Sequence, residues 1–596
     1  MNRKITYKKR PGVTGNTAQE CYLQKLGVES TDEINAWYRA SYAGEYWIRD
    51  LDKAVALALT FKNRKIRVFC DYDVDGVGAG SILYLGLKMA GFRYCRDNGP
   101  MKVVRPPFRH EEGYTVSVPA IEEFARECGG NGLMITVDIG IAAVEAVSRA
   151  KELGLTVIIL DHHLYRVDYE GNPVLPPADV IIDPSAIKGQ GRWSSYCGGA
   201  LAYRFICAMI GKQKAQILLS YSALTTVADV MPLKEENRVF VSQGIRCMEK
   251  GLVMPGLQAL INVFSAKKLE KRSGTEDTEA RRAEAKKQAE EMENRISEYE
   301  IGFQLAPALN APGRLLNQGA YKSINLLTCE DYEEAYPLAE ELWEINQERI
   351  RLVNEASEKA EEMVREKHLD RFPVLMTVLQ DVNPGIAGII AGRLTEEHNR
   401  PSIVLTPKMG REGVLVGSCR SVPEINIKAL LDEISDLMMA YGGHAGAAGL
   451  TLEKAAVPAF FQALIRAEKE LFTYVPADVD IRFYDLSADT GMCGSLAAEE
   501  KRFMPYGEGC EQNIYRITGF IPDTDLFTGE KVSVYGKENK VYKMTCRGVS
   551  AITFDPELGE ALKKMDGELI LYGTLSQNEY KGNIRPQITV EWFEKA

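Results

Sequence analysis

The chain has 596 residues, 45% hydrophobic and 26% charged, with a formal net charge of −11. This is the make-up of an ordinary globular protein of about four domains, which excludes a disordered or collagen-like chain. No run of about 18 apolar residues occurs, so no membrane span is expected; the acidic balance argues against a broadly basic surface but leaves room for a local basic groove.

The basic start MNRKITYKKRPG has no apolar stretch behind it and does not read as a secretory signal. The twelve cysteines are scattered, with no CxxC pair, as in a reduced cytoplasmic protein. Residues 1–50 are mixed and aromatic-rich and read as an N-terminal arm. From residue 64 onward, short apolar runs at 66–70, 133–137, 156–160 and 180–182 alternate with helical patterns at 81–89, 120–128 and 142–152. Buried-type strands alternating with helices predict a parallel sheet covered on both faces. Ligands of such sheets bind beyond the carboxyl ends of the strands.

A stretch of charge and alanine from 267 to 295 reads as a solvated helical insertion, set at about 266–298. Leu338, Leu342, Ile345, Leu352, Ala356, Ala360 and Met363 recur at helical spacing and predict one long amphipathic helix. A second α/β pattern covers 371–475. After Pro476 the helices mostly give way to short strands at 515–521, 532–535, 541–546, 549–554, 568–575 and 587–593, with a turn at 578–582. That pattern predicts a small β-barrel, and OB-folds are the barrels that hold single strands. The fold class is therefore α/β: a parallel-sheet domain, a linking helix, a second α/β domain and a C-terminal barrel.

Four acidic clusters follow strand-like segments: CDYDVDG (Asp71, Asp73, Asp75), ITVDIG (Asp138), IILDHH (Asp161, His162, His163) and TTVADVMPL (Asp229). Three of them cap strands of one sheet, so their side chains can converge on one edge. Carboxylates packed together raise each other's pKa, and a bound dication removes that penalty. Oxygen and imidazole donors without thiolate favour Mn²⁺ or Mg²⁺. Two-residue spacing in DxDxD puts the aspartates on one side of an extended segment, from which they can serve two metals. A lone strand-end aspartate is more often a turn or helix cap; the combination with DHH is what points to a metal site.

DYDVDG, VDIG, DHH and VADVMPL resemble, in order, the motifs of the DHH phosphoesterase superfamily. RPPFRHEEGY (105–114), PALNAPGR (307–314), GSCRSVP (417–423), YGGHAGAAGL (441–450) and PYGEG (505–509) are similar to those of the RecJ-type single-strand exonucleases within it. The resemblance covers about residues 60–596. Beside the arm (1–50), it implies a DHH domain (51–335), a connecting helix (336–370), a DHHA1 domain (371–475) and an OB-fold (476–596). It also implies 5′-to-3′ hydrolysis of single-stranded DNA in repair and recombination. Asp75, Asp138, His162 and Asp229 would hold one Mn²⁺ or Mg²⁺, and Asp73, Asp138 and Asp71 a second, with Asp138 bridging. The two ions would activate water and steady the attacking and leaving oxygens. His163 would face the phosphate, and Asp161 would orient the histidines.

For the substrate the resemblance implies Arg109, Tyr114, Asn310, Arg314, Ser418, Arg420, Ser421 and His444, with Arg420 suited to paired hydrogen bonds on a terminal phosphate. Four positions depart from the family's usual residues; Phe69 and Asn383 stand where histidine is common, and Ala308 where arginine is. Pro312 replaces a small residue. Partners expected are single-stranded DNA and a single-strand-binding protein or helicase; the protein is expected to be a cytoplasmic monomer. The alternatives are a short-oligonucleotide or cyclic-dinucleotide phosphodiesterase of the same superfamily, and a scaffold that has lost its metals. The barrel and long helix count against the first, the complete aspartate and histidine set against the second.

Overall fold

The computed structural model describes residues 4–28, 30–39, 46–112, 116–168, 170–273, 296–471, 479–525, 529–535, 541–580 and 583–596. The chain divides into two compact units, one of residues 1–47, 230–243 and 477–596, the other of residues 48–229 and 244–476.

The larger unit begins with a parallel five-stranded sheet. Its strands are β1 (Ile66–Cys70), β2 (Val104–Arg105), β3 (Leu133–Val137), β4 (Thr156–Leu160) and β5 (Val180–Ile182), in the order β2-β1-β3-β4-β5. Every residue of β1 and β3 is buried, which is why these strands read as continuous apolar runs and not as alternation. Helix α1 (Val74–Met89) starts seven residues earlier than its apolar pattern suggests. Val118–Cys128 (α2) and Val144–Glu152 (α3) close one layer of the core, where Phe69, Phe124, Met134, Val147 and Ile159 are buried together. Phe69, at the position where the family often has histidine, is thus a core side chain.

Helices α4 (Gly198–Ile210), α5 (Leu219–Ala228) and α6 (Ala306–Leu315) follow. Between α5 and α6 lies a helix, Pro255–Ser273, that runs into the expected insertion. Ala266 on it is 2% exposed with Leu269 packed against it, and Lys267 stands 5.3 Å from the Trp343 ring centroid. The first residues of the expected insertion are therefore part of the folded unit; residues 274–295 lie outside the described residues.

Helix α7 (Tyr332–Glu366) spans 35 residues, roughly 50 Å at 1.5 Å per residue. Its buried residues are Ala335, Tyr336, Ala339, Leu342, Asn346, Val353, Ala356, Ala360 and Val364. Leu342, Ala356 and Ala360 lie in the expected stripe, whereas Ala339, Asn346, Val353 and Val364 are buried in place of their neighbours Leu338, Ile345, Leu352 and Met363, which flank the seam. Its C-terminal half joins a second core with Leu375, Ile386, Ile390 and Val404.

That core lies under a mixed sheet of β6 (Leu375–Val378), β7 (Ser402–Pro407), β8 (Val414–Arg420), β9 (Ala440–His444) and β10 (Ala447–Glu453), in the order β9-β10-β8-β7-β6, with α8 (Pro384–His398) after β6. Asn383, the second place where the family often has histidine, caps α8: its Oδ1 accepts from Gly385 N at 2.8 Å and its Nδ2 donates to Leu315 O at 3.2 Å. It ties the end of α6 to the start of α8.

The smaller unit carries a seven-stranded sheet. Its strands are β11 (Leu486–Asp489), β12 (Tyr515–Phe520), β13 (Ser533–Tyr535), β14 (Val541–Cys546), β15 (Val549–Thr553), β16 (Leu569–Tyr580) and β17 (Asn583–Lys595). The order is β11-β12-β16-β17-β15-β14-β13. β16 and β17 extend well past the apolar runs, narrowing the expected turn, and helices Cys493–Glu500 and Pro556–Lys563 accompany the strands. The N-terminal strand Lys4–Lys9 pairs in parallel with Val479–Tyr484. Arg10 and Lys25 both reach the buried Asp485, so this arm is an integral part of the unit.

Phe124 is fully buried and its ring faces Arg67 at 5.2 Å. Phe124→Ala is expected to lower the unfolding free energy by about 3–5 kcal/mol, measured by chemical denaturation.

Candidate metal centre

Carboxylates and imidazoles converge beyond the carboxyl ends of β1, β3 and β4, and each is placed by a local backbone device. Asp71 accepts from Tyr72 N at 2.7 Å in the turn after β1. Asp73 caps α1, accepting from Gly76 N at 3.0 Å. Asp75 is therefore already helical, so an extended alternation accounts for Asp71 and Asp73 only. Asp75 points at the start of α4, accepting from Gly198 N at 2.6 Å and Gly199 N at 2.8 Å. A carboxylate suits the positive end of a helix. Asp138 sits in the left-handed region (φ 60°), which Asp tolerates better than most residues. Its N–H donates to Leu160 O at 3.0 Å.

Asp229 differs from the strand-end position that its apolar run suggests. It caps the C-terminus of α5, and its N–H donates to Thr225 O at 2.9 Å. His162 Nε2 lies 3.0 Å from Asp138 Oδ1 and 3.7 Å from both Asp75 Oδ2 and Asp229 Oδ2. His163 Nδ1 lies 2.8 Å from Asp161 Oδ1. Asp161 is fully buried and also accepts from the backbone N–H groups of Ile141, His162 and His163. Its lone pairs are spent on orienting the DHH segment.

Among the described residues, three donor groups result: Asp75, His162 and Asp229; Asp138, His162 and His163; Asp71, Asp73 and Asp138. Within each, the ligand atoms lie within 4.8 Å of one another. Asp138 and His162 each belong to two groups, as two adjacent ions would require. None contains a thiolate, and such a set fits Mn²⁺ or Mg²⁺.

The electrostatics agree. Burial, and then the charge of Asp75, push the Asp73 and Asp138 carboxyls above the usual range, and the same causes push Asp229 up to about 8. Burial holds the His162 pKa below normal, leaving it neutral and able to ligate. Partial burial acts to lower His163 as well, but the hydrogen bond and charge of Asp161 overrule it and hold it at about 9. Burial acts to raise Asp161, and His163 outweighs that, leaving its pKa low.

Two features of this centre lie outside the expected site residues. Gly198, in YCGGA, lets α4 close onto the aspartates: a Cβ there would stand 2.6 Å from the Asp138 Cβ and 3.0 Å from Asp75 Oδ2. Asp183, after β5, is fully buried, with Oδ2 unpartnered; burial pushes it up to about 7, and the nearby charge of Asp161 adds to the rise. The strand-end aspartate pattern could have flagged Asp183.

The residues expected to touch substrate are only partly gathered. Asn310 Oδ1 accepts from Val74 N at 3.0 Å, binding α6 to the metal loop, and the Arg314 charge acts on Asp73. Arg420, at the end of β8, donates from Nη1 to Cys419 O at 2.8 Å, and Gly388 on α8 leaves room for its guanidinium. Ser418 is half-buried on the same strand. The Ser421 hydroxyl donates to Ile425 O at 2.7 Å, so it has no hydrogen left for a phosphate. His444 is exposed; its Nδ1 accepts from Gly446 N at 3.2 Å, leaving Nε2 as its outward nitrogen. Tyr114 and the Arg109 side chain lie outside the described residues.

Arg349 on α7 is a further basic residue that sequence patterning does not reveal. Burial, and then the charges of Arg314 and Arg393, push it down to about 10. Three cations gathered from α6, α7 and α8 form a place where an anion would relieve repulsion. Arg393 is held by Asn354 and Ser357.

Fold and donor set together point to one class of protein, the DHH family. Residues 65–229 match the DHH family N-terminal domain, and residues 372–470 match the DHHA1 domain. The chain belongs to the RecJ family: it is 30% identical to the single-stranded-DNA-specific exonuclease RecJ of Salmonella typhimurium over 72% of this chain and 70% of that protein. It is also 30% identical to the Bacillus subtilis protein of the same name, over 89% of this chain and 61% of that one. It thus spans about three fifths of the length of the Bacillus relative. The crystal structure of Thermus thermophilus RecJ in complex with Mn²⁺ shares the fold, with a TM-score of 0.72 at 22% identity, covering 100% of this chain and 80% of that one.

A carboxyl whose folded pKa is raised destabilises the folded state progressively as pH rises from the unfolded value through the folded one. For Asp229 that window runs from about 4 to about 8. A dication should offset this loss. Mn²⁺ is expected to raise the thermal unfolding midpoint, and by more at pH 8 than at pH 6; an equal or smaller increment at pH 8 would contradict the assignment.

Proposed function

We propose that the chain is a metal-dependent exodeoxyribonuclease. It hydrolyses single-stranded DNA from the 5′ end, in repair and recombination, with two Mn²⁺ or Mg²⁺ ions. The observation that carries this reading is the overlap of three donor groups through Asp138 and His162. The names of the relatives support the substrate, and the arginines of α6, α7 and β8 suit a phosphate backbone. The ions, when bound, supply Lewis acidity to the phosphate and lower the pKa of the attacking water.

The chain's own residues do the rest. Asp75, Asp138, His162 and Asp229 would hold one ion; Asp71, Asp73 and Asp138 would hold the other. Asp161 fixes the His163 ring, and His163, protonated at neutral pH, donates to a phosphate oxygen. Arg314 and Arg349 hold backbone phosphates, while Arg420, with Ser418, takes the terminal one and so sets the polarity. In this reading the arm (1–50), DHH domain (51–335), connecting helix (336–370), DHHA1 domain (371–475) and OB-fold (476–596) act as a cytoplasmic monomer. Its partners include a single-strand-binding protein or a helicase.

Asp138→Asn is expected to abolish hydrolysis, a loss of several orders of magnitude, while strand binding persists. Turnover near that of the parent protein would remove the shared-ligand assignment. Strands labelled at either end, with and without a bulky 5′ block, test polarity: nucleotides should leave the 5′ end, and the block should stop release. Release from the 3′ end, equal digestion of blunt duplex, or preference for a dinucleotide would refute the reading.

A further inference from the structure

Beyond the metal centre, the described residues expose one aromatic pair that packing does not account for. Tyr299 and Phe303 stack on each other, with centroids 4.9 Å apart and planes inclined by 29°, yet they are 59% and 71% exposed. They lie on a continuous helical run: Ser297 caps its first turn, residues Ile301–Leu305 form a π-helical turn, and α6 follows without a break. Ile301 and Leu305 are buried and anchor the run. A π-turn inserted in a helix is uncommon and is frequently found at functional sites.

The placement of this pair matters. A Cβ on Gly302 would stand 3.6 Å from Val227 Cγ1, so the turn packs two residues before Asp229. Asn310 and Arg314, four residues apart, share one face of the α-helical part of this run, and Phe303 precedes Asn310 by seven residues. That face binds the metal loop through Asn310 and bears on Asp73 through Arg314. Aromatic rings in line with a backbone-binding cation are the usual elements of a single-strand platform, on which any base can stack.

We infer that Tyr299 and Phe303 form a nucleobase-stacking platform that positions the single strand at the metal centre. The inference rests on the nuclease reading above. The platform holds a base while Arg314 holds the backbone, which makes it a positioning device with no part in the bond-breaking step. Both rings are exposed, so removing them leaves the fold intact.

Phe303→Ala and Tyr299→Ala are expected to raise KM for a single strand about tenfold each, with kcat and the thermal midpoint little changed. Phe303→Tyr should restore the parent KM. In a strand with one abasic site moved along it, one position should weaken the parent protein but not Phe303→Ala. Phe303→Trp gives a readout independent of cleavage: its emission should be quenched by oligo-dT and not by a strand abasic throughout. Quenching without cleavage by the parent protein would retain the platform and sink the nuclease reading. Normal cleavage with an unchanged KM in Phe303→Ala, or equal quenching by both strands, would overturn the platform and leave the nuclease reading standing; the pair would then be a contact for another protein.

Discussion

Carboxylates held within one small volume repel one another, and the rest of this structure is arranged around that repulsion. Two unit charges 4 Å apart interact by about 4 kcal/mol at an effective dielectric constant of 20. Asp73, Asp138 and Asp229 respond with raised pKa values. Three supports keep the acids together in the absence of an ion. The first turn of α1 takes Asp73, the N-terminus of α4 takes Asp75, and His162 stands between Asp75, Asp138 and Asp229. A dication replaces repulsion with attraction, so metal binding and local stability are linked.

A complementary repulsion sits at the junction of α6, α7 and α8. Arg349 is depressed by burial and by two neighbouring arginines, and its Nε is buried without a hydrogen-bond partner. In the proposed reading, acids that call for cations and cations that call for anions, joined through Arg314, would be the two halves of a phosphodiester site. α7, a single 35-residue run, packs against Pro255–Ser273 and α6 and, through its C-terminal half, joins the second core. α6, which binds the metal loop through Asn310, and the arginines of α6, α7 and α8 thus belong to one packed set of helices.

The unusual residues of the family motifs have structural explanations here. Asn383 serves as a helix cap and a tie to α6, a role that asks for a short side chain with both a donor and an acceptor. Phe69 fills a hydrophobic layer. Ala308 and Pro312 are buried within α6, where Gly313 approaches the carbonyl of Tyr72. None of these substitutions touches the donor groups themselves.

The sequence by itself determined the parallel sheet, the spans of β1, β3, β4 and β5, the long helix, and the aspartates and histidines of the centre. Continuous apolar strands and short acidic motifs are local patterns, and local patterns survive in one dimension. Only the tertiary structure decided that Asp229 arrives from a helix end and Asp75 from a first helical turn, that Gly198 must lack a side chain, and that α7 buries Ala339, Asn346, Val353 and Val364 in place of their larger or more apolar neighbours. It alone gathered Arg314, Arg349 and Arg393, and left Tyr299 and Phe303 in the open. The physical reason is the same in each case. Approach, burial and charge between residues tens to hundreds of positions apart depend on how elements pack, and no spacing along the chain records that.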